Sequence, residues 1–368
     1  MEKAIASIFK PYLEPKEVYK GGKNIPNMGH SKIYKLSSNE NPLGASPKAI
    51  AALQQSLNQL DIYPDQTDIR LRQALVNDFD GKLQAEQFLC GNSGSEIIDM
   101  LLRAFIHEGD EVIYSNPSFL PYSVFSRWYG GHPIDIPLKE PDYALDVEGI
   151  LKAITPKTKI IFLTSPNNPT GTFIPRAVLE DFLKRVPKNI IIVFDEVYRH
   201  FADAPDYVSA LEYVLKGYPV IGINSFSKTY GLAGLRIGYC YTTLQIAKYI
   251  RLIHKPFLLP LTAIEAGIGA LSDHDFISET VNTVQEGRVF LAKAFEKMNI
   301  SYWPTQGNFF LIDPPLPEFE FTDFLMNEGI MVRPVSQFGA KGKVRITVGT
   351  PEANEALVNA LQKIKPHS

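Results

Sequence analysis

The sequence has few cysteines, little excess of charge of either sign and no long apolar run. Its two cysteines, Cys90 and Cys240, stand in apolar, strand-like segments, which argues against a disulfide framework or a cysteine metal site. With 37 basic and 40 acidic residues among 368, the net charge is −3, so no general attraction to nucleic acid or an anionic membrane is expected. No stretch reaches the roughly 20 apolar residues of a membrane span, and the N-terminus does not resemble a signal peptide. These absences predict a protein of the cytoplasm, with neither nucleic acid nor membrane as a partner.

Strand-like and helix-like segments alternate through the middle of the chain. The strand "EQFLCG" precedes "SEIIDMLLRAFIHEG", whose apolar residues recur at helical spacing. Strands such as "TKIIFLTSP" and "NIIIVFDEVY" are almost continuously apolar, which is typical of a parallel sheet covered by helices on both faces. We therefore expect the α/β class, with an arm over residues 1–45 and a large domain over residues 46–250. A smaller α+β domain should follow over residues 251–368, closed by a helix with Pro351 in its first turn.

Four polar segments follow predicted strands, where open α/β sheets bind ligands. They are "GNSGSE" (Gly91–Glu96), "TSPNNPTG" (Thr164–Gly171), "VFDEVY" (Val193–Tyr198) and "SFSKTYGLAGLRIGYC" (Ser225–Cys240). Taken singly, each has an ordinary structural interpretation: a glycine turn, a Pro-Asn turn, a helix cap or salt bridge, and a solvated lysine. None is a Walker A loop or a GxGxxG motif.

Together, the four segments supply a consistent set of chemical groups. Lys228 can form a Schiff base, and Asp195 can pair with a ring nitrogen. Backbone N–H groups, hydroxyls and the guanidinium of Arg236 can bind a phosphate. This set fits pyridoxal 5′-phosphate, whose chemistry needs a lysine linkage and an acidic partner for the pyridinium. Glu196 is interpreted as structural.

The chain resembles the fold-type I pyridoxal-phosphate aminotransferases, and among them most closely the histidinol-phosphate aminotransferases. The resemblance rests on "KPY", "LSSNENPLG", "YPD", "SPNNPTG", "FDEVY", "SFSKTYGLAGLRIGY", "VRPV" and "VRITVGT", which occur in this order over almost the whole chain. It implies a homodimer with shared active sites, in which the arm packs on the small domain and on the partner subunit. It also implies that an amino group passes between glutamate and an imidazole-acetol-phosphate-like ketone, in histidine biosynthesis.

The resemblance assigns roles around the cofactor. Lys228 would hold it covalently, Asp195 would keep the pyridine nitrogen protonated, and Tyr198 and Asn168 would donate hydrogen bonds to the ring 3′-oxygen. The amine must be neutral for part of the cycle, so we expect its pKa to be lowered by the nearby cofactor and by Arg236. The residues expected at the phosphate and the ring are Gly94, Ser95, Ser225, Ser227, Arg236, Tyr63 from the partner subunit, and Phe119 as the stacking ring. Ser95 and Phe119 stand where relatives commonly have Asp and Tyr; we expect backbone N–H binding to survive the first change and ring stacking to survive the second.

The resemblance also assigns substrate-binding residues. Arg345 matches the arginine that binds the carboxylate of the amino donor, and Arg333 matches one that binds the phosphate tail of histidinol phosphate. Tyr12 would close over the substrate from the partner subunit, and Asn39 lies beside the substrate entrance. An arginine in an apolar strand is costly without a partner, which favours ligand binding, although an internal salt bridge is the alternative for Arg333. The seven histidines show no metal-ligand spacing, and no metal is expected.

Other functions remain open from the sequence. An aromatic amino-acid aminotransferase or an O-phosphothreonine decarboxylase would share nearly every residue named above. A non-catalytic binding module of the same fold is a third possibility, but the regulators of this type carry an added DNA-binding domain, and no basic helix-turn-helix precedes the fold here.

Overall fold

A computed structural model describes residues 8, 10, 12 and 32–364 of the chain. Its strands are β1 (Tyr34–Lys35), β2 (Phe88–Gly91), β3 (Glu111–Asn116), β4 (His132–Pro137), β5 (Thr158–Thr164), β6 (Ile191–Asp195), β7 (Val220–Ser225), β8 (Gly238–Tyr241), β9 (Phe309–Ile312), β10 (Ile330–Met331), β11 (Arg333–Pro334) and β12 (Val344–Thr347). Its α-helices are α1 (Pro47–Ser56), α2 (Ile69–Asp78), α3 (Gly94–Phe105), α4 (Pro121–Trp128), α5 (Val147–Ala153), α6 (Arg176–Arg185), α7 (Leu211–Leu215), α8 (Leu244–Arg251), α9 (Leu261–Leu271), α10 (His274–Lys297), α11 (Glu318–Asn327) and α12 (Pro351–Leu361).

Within residues 32–364, seven strands form one sheet in the order β2-β8-β7-β6-β5-β3-β4. The pairs from β7 to β4 are parallel, whereas β8 runs antiparallel to both β2 and β7. Alternate residues of β5 enter two apolar clusters on opposite faces of the sheet. Ile161 and Leu163 pack with residues of α2, α6 and α9, and Ile160 and Phe162 pack with residues of α3, α4 and α8. The predicted parallel sheet between two helical layers is therefore confirmed.

The parallel strands β5, β6 and β7 end at the same edge of this sheet. Thr164 pairs with Asp195, and Asp195 pairs with Ile223, two residues before β7 ends at Ser225. Polar residues that follow these strands are therefore brought together at one edge.

The C-terminal part of the chain builds two smaller sheets. The strands β11, β12 and β9 are antiparallel in that order, and β1 pairs in parallel with β10. Their apolar core includes Phe295 from α10, Ile346 from β12 and Leu357 from α12. The helix α12 begins with Thr350 as its N-cap and Pro351 in its first turn, as predicted.

The predicted boundary between residues 250 and 251 stays a prediction, although the packing favours a later position. A break there would fall inside α8. Leu259 and residues of α9, including Ile264 and Leu271, belong to the apolar core of the large sheet. The helix α9 also lies close to α1, because a Cβ built on Gly269 would come within 2.6 Å of the Lys48 carbonyl oxygen. We propose that the small domain begins after Leu271. In the part of the chain that the structure describes, no helix combines the length and the apolar content needed to cross a membrane.

Candidate active site

A cavity of about 750 Å³ opens at the carboxyl edge of β5, β6 and β7, against residues of the small sheets. The predicted site residues other than Tyr12 and Tyr63 all line it. They are Asn39, Gly94, Ser95, Phe119, Asn168, Asp195, Tyr198, Ser225, Ser227, Lys228, Arg236, Arg333 and Arg345. No cluster of histidine, cysteine or carboxylate side chains among the described residues has the arrangement of a metal site.

Lys228 lies three residues beyond β7, and its amine faces the cavity. The Nζ atom donates a hydrogen bond to the Ser38 carbonyl at 3.1 Å and lies 5.9 Å from the centroid of the Tyr198 ring. Burial is the largest cause that lowers the pKa of this amine to about 7; the positive charges of Arg345 and Arg236 act in the same direction, and the Glu40 carboxylate opposes them. The pKa is lowered as expected, although its largest cause is burial and not the charge of Arg236. At neutral pH the amine can therefore act both as a nucleophile and as a proton carrier.

Asp195 is the last residue of β6, and its carboxylate is buried. One carboxylate oxygen accepts a hydrogen bond from the Tyr122 hydroxyl at 2.7 Å, and the other accepts one from the Val197 N–H at 3.2 Å. Burial raises the pKa of Asp195 to about 6, and the Tyr122 hydrogen bond opposes this rise. The group is still ionised above neutral pH, so it can stabilise a cationic N–H inside the cavity.

Glu196 directly follows β6, and it does not line the cavity. It is fully buried and accepts hydrogen bonds from the Tyr241 hydroxyl, from Ser209 Oγ at 2.8 Å and from the Ala210 N–H at 3.1 Å. These contacts hold the loop before α7 against β8. The carboxylate therefore has the structural surroundings that the sequence predicted for it.

Groups that favour an anion converge at another part of the cavity. The helix α3 begins at Gly94 with Ser93 as its N-cap, so its first N–H groups have no partner within the helix. The hydroxyls of Ser225 and Ser227 lie 3.0 Å apart, and Arg236 is exposed there with a left-handed backbone (φ 56°).

The start of α3 is also held very close to β8. A Cβ built on Gly238 would lie 2.5 Å from the Gly94 nitrogen, so only glycine fits beneath this helix end. Together with the Ser225 and Ser227 hydroxyls and the Arg236 guanidinium, these N–H groups suit a phosphate.

Tyr198 and Asn168 are both buried and are held by residues from the small sheets and the segment before α1. The Tyr198 hydroxyl accepts a hydrogen bond from Asn39 Nδ2 at 2.9 Å, and the Tyr198 ring packs edge-on against Phe309 at 5.0 Å. Asn168 Oδ1 accepts a hydrogen bond from Arg345. Asn39 therefore contacts Tyr198 directly, which the sequence did not predict.

Arg333 and Arg345 lie directly opposite each other on the antiparallel strands β11 and β12, and both are buried. Arg345 also donates a hydrogen bond to the Ser37 carbonyl at 2.8 Å, and the Arg333 guanidinium lies 5.5 Å from the centre of the Phe338 ring. Two buried guanidinium groups on adjacent strands provide a strong field for an anionic substrate.

Two predicted residues lie outside the cavity. The side chain of Tyr63 is 81% exposed and contacts the Phe257 ring at a centroid distance of 5.0 Å. The Tyr12 ring lies near Gly130, at 3.0 Å from where a Cβ on that glycine would be. Both residues were predicted to act on a partner subunit, and their roles stay predictions.

Sequence reasoning missed several cavity residues. Tyr122 stands three residues after Phe119, and this helical spacing was the available signal for a shared direction. Lys35 and Glu40 line the cavity as an ion pair, with Nζ and Oε1 2.6 Å apart. The Ser37 and Ser38 carbonyls leave no signal in the sequence, because every residue type carries the same main-chain acceptor.

Comparison with known proteins decides the family. The family model described as "Aminotransferase class I and II" matches residues 31–361. The chain belongs to this aminotransferase family. It is 39% identical over 360 residues to histidinol-phosphate aminotransferase 2 of Hydrogenovibrio crunogenus, covering 96% of this chain and 95% of that protein. It is 36% identical over 362 residues to the histidinol-phosphate aminotransferase of Moorella thermoacetica, covering 98% and 92%.

A solved structure shows the same fold. The histidinol-phosphate aminotransferase of Sinorhizobium meliloti, in complex with pyridoxal-5′-phosphate, superposes with a TM-score of 0.86. The likeness covers 96% of each chain at 24% sequence identity. The predicted fold class and the predicted aminotransferase activity are confirmed.

Proposed function

We propose that this aminotransferase uses pyridoxal 5′-phosphate to exchange an amino group between glutamate and the ketone that corresponds to histidinol phosphate. The relatives from Hydrogenovibrio and Moorella carry the name of this reaction. The observation that carries the proposal is one cavity that contains Lys228, Asp195, an anion-binding helix start and two buried arginines.

The residues present fit the cofactor at both of its polar ends. Gly94, Ser95, Ser225, Ser227 and Arg236 would hold its phosphate, and Asp195 would face its ring nitrogen. Phe119 would lie against the ring, and Tyr198 and Asn168 would bind the ring 3′-oxygen. When bound, the cofactor supplies a conjugated ring that delocalises the electron pair left at the substrate Cα. Lys228 would attach the cofactor and, when released, would take the proton from Cα with an amine whose pKa is already low.

The two buried arginines provide the substrate specificity in this proposal. Arg345 would bind the carboxylate of glutamate, and Arg333 would bind the phosphate of histidinol phosphate. Because both are buried on neighbouring strands, their attraction for an anion is weakly screened by solvent.

The proposal is tested with amino donors that differ in their anionic groups. Histidinol phosphate, phenylalanine, tyrosine and phosphothreonine are supplied in turn, and both keto product and released carbon dioxide are measured. We expect histidinol phosphate to give the highest kcat/KM, without carbon dioxide. A preference for phenylalanine or tyrosine would indicate an aromatic aminotransferase, and carbon dioxide from phosphothreonine would indicate a decarboxylase.

Two substitutions test the assigned roles. Arg333→Ala should lower kcat/KM for histidinol phosphate by about 100-fold and for phenylalanine far less, since a buried charge-assisted contact is lost. Arg288→Ala is the control, because Arg288 is also buried but pairs with Asp203 outside the cavity. Equal losses on both substrates for Arg333→Ala would refute its role at the phosphate. Lys228→Ala should take up cofactor without a covalent link and lose transamination, and normal turnover would refute the proposed chemistry.

An exposed apolar edge near Tyr63 supports the proposed homodimer. Leu60, Ile62 and Tyr63 are 63%, 62% and 81% exposed and stand within four consecutive residues of the chain. A second copy covering this edge would bury them and would bring Tyr63 toward the partner's cavity. Leu60→Glu combined with Ile62→Glu should give a monomer in sedimentation, whereas Phe319→Glu, 66% exposed elsewhere on α11, should not. An unchanged dimer in the double variant would exclude this edge as the interface.

A further inference from the structure

Tyr122 connects the acid of the cavity to the neighbouring strand. Its hydroxyl lies 2.7 Å from Asp195 Oδ2 on β6 and 3.0 Å from Thr164 Oγ1 on β5. Both partners are the last residues of their strands and are directly paired across the sheet. The Tyr122 oxygen therefore spans the ends of two parallel strands.

The direction of these hydrogen bonds follows from their donors. The Tyr122 hydroxyl has one proton, and the ionised Asp195 can only accept, so this proton is donated to Asp195. The bond between Thr164 and Tyr122 must then use the proton of the Thr164 hydroxyl. Thr164 therefore donates to Tyr122, and Tyr122 donates to Asp195. The first hydrogen bond polarises the Tyr122 hydroxyl and so strengthens the second.

The Tyr122 ring is fixed by its packing. It is fully buried, stacks on Phe162 of β5 at 4.5 Å with an interplanar angle of 17°, and meets the Phe119 ring edge-on at 5.7 Å. Burial and the adjacent Asp195 charge raise the pKa of the Tyr122 phenol well above its ordinary value, so it remains a donor. The same ring therefore supports Asp195 through its hydroxyl and Phe119 through its edge.

We propose that Tyr122 is a positioning residue that orients the Asp195 carboxylate toward the cofactor's ring nitrogen, with Thr164 as its supporting donor. This inference rests on the proposed function, because it assumes that pyridoxal phosphate occupies the cavity. Without the Tyr122 hydroxyl, the carboxylate would keep only the Val197 N–H among the bonds described above and could rotate. The contact of Asp195 with a ring N–H would then weaken, while the phosphate and lysine contacts would be unaffected.

The test compares two ligands that differ only at the ring nitrogen. The apoenzyme of the full chain is titrated with pyridoxal 5′-phosphate and with its 1-deaza analogue, in which a carbon replaces that nitrogen. Tyr122→Phe should weaken binding of pyridoxal phosphate about 10-fold or more, since a hydrogen bond to a charged group is lost. Binding of the analogue should stay within about 2-fold of wild type, because the analogue makes no such contact with Asp195.

A matched control and a second variant complete the design. Tyr129→Phe removes another tyrosine hydroxyl that donates to a carboxylate, that of Asp99 at 2.8 Å outside the cavity, and should change neither affinity. Thr164→Val keeps Tyr122 in place and should show the same selective loss to a smaller degree, which keeps the test valid if Tyr122→Phe folds poorly.

The outcomes separate this proposal from the proposed function. Equal losses for the two ligands in Tyr122→Phe and Thr164→Val, or no loss for either ligand, would overturn the positioning role while leaving the cofactor assignment intact. Failure of the wild-type protein to bind pyridoxal phosphate would overturn the proposed function and this inference together.

Discussion

Replacing Lys228 by methionine should stabilise the apoprotein, by an amount that depends on pH. The pKa of the Lys228 amine is lowered from 10.5 to about 7 in the folded protein, mainly because the amine is buried. The folded state therefore binds fewer protons than the unfolded state between these two values, and wild-type stability rises as pH increases through this window. At 1.36 kcal/mol per pKa unit, the cost of the buried amine is about 4 kcal/mol at pH 7.5 and about 1.4 kcal/mol at pH 9.5.

The assay is urea unfolding of wild-type and Lys228→Met apoproteins at one fixed protein concentration, from pH 7.5 to 9.5. The free-energy difference between them should shrink by about 2.5 kcal/mol over this range, whatever constant offset arises from the lost bond to the Ser38 carbonyl. Lys216→Met is the control, because this side chain is 54% exposed and its replacement should give a small difference at every pH. A difference between wild type and Lys228→Met that stays flat with pH would refute the reasoning.

Substitutions at three further positions test the structural parts of the site. Glu196→Gln should destabilise the protein by about 2–3 kcal/mol in urea unfolding, because one acceptor oxygen for Tyr241 or Ala210 becomes a donor, while kcat per bound cofactor stays near wild type. A kcat loss without a stability loss would place Glu196 in the chemistry instead. Gly231→Ala should prevent folding or lower the free energy of unfolding by more than about 3 kcal/mol. The φ at this position is +69°, and the new Cβ would lie 1.8 Å from the Gly44 carbonyl oxygen. A well-folded variant in circular dichroism would contradict this prediction. Asn39→Ala should destabilise the protein by about 2–4 kcal/mol and Asn39→Gly by less. Both variants lose the hydrogen bond to Tyr198, but the φ of +52° at position 39 strains alanine and not glycine. Equal losses of stability for the two variants in urea unfolding would rule out the strain.

The main groups of the site were predictable because parallel strands place their carboxyl ends together. Asp195 ends β6 and Lys228 follows β7, which is adjacent in the sheet, and the motifs around them predict the cofactor chemistry. The parallel sheet between two helical layers was also predictable, because its buried strands are almost continuously apolar.

Other features depend on information that the pattern of residue types does not carry. In the sequence, Tyr122 resembles an ordinary core aromatic. Its contact with Asp195 depends on the pairing of β5 with β6, which places Asp195 beside Thr164 within reach of the Tyr122 hydroxyl. The apolar residues of α9 would suit the core of either domain, so the residue pattern does not fix the boundary, and the boundary after residue 250 stays a prediction. Tyr12 and Tyr63 were predicted to act across two subunits, and their roles stay predictions.

The stretch from Lys35 to Glu40 binds the side chains of Lys228 and Arg345 through its main chain. The carbonyl of Ser37 accepts from Arg345, and the carbonyl of Ser38 accepts from Lys228. A substitution at Ser37 or Ser38 would keep both carbonyl acceptors, because every residue has a main-chain carbonyl. Inserting or deleting one residue in this stretch would displace both carbonyls at once. Positions 37 and 38 can therefore diversify by substitution over evolutionary time, while the length of this stretch is constrained.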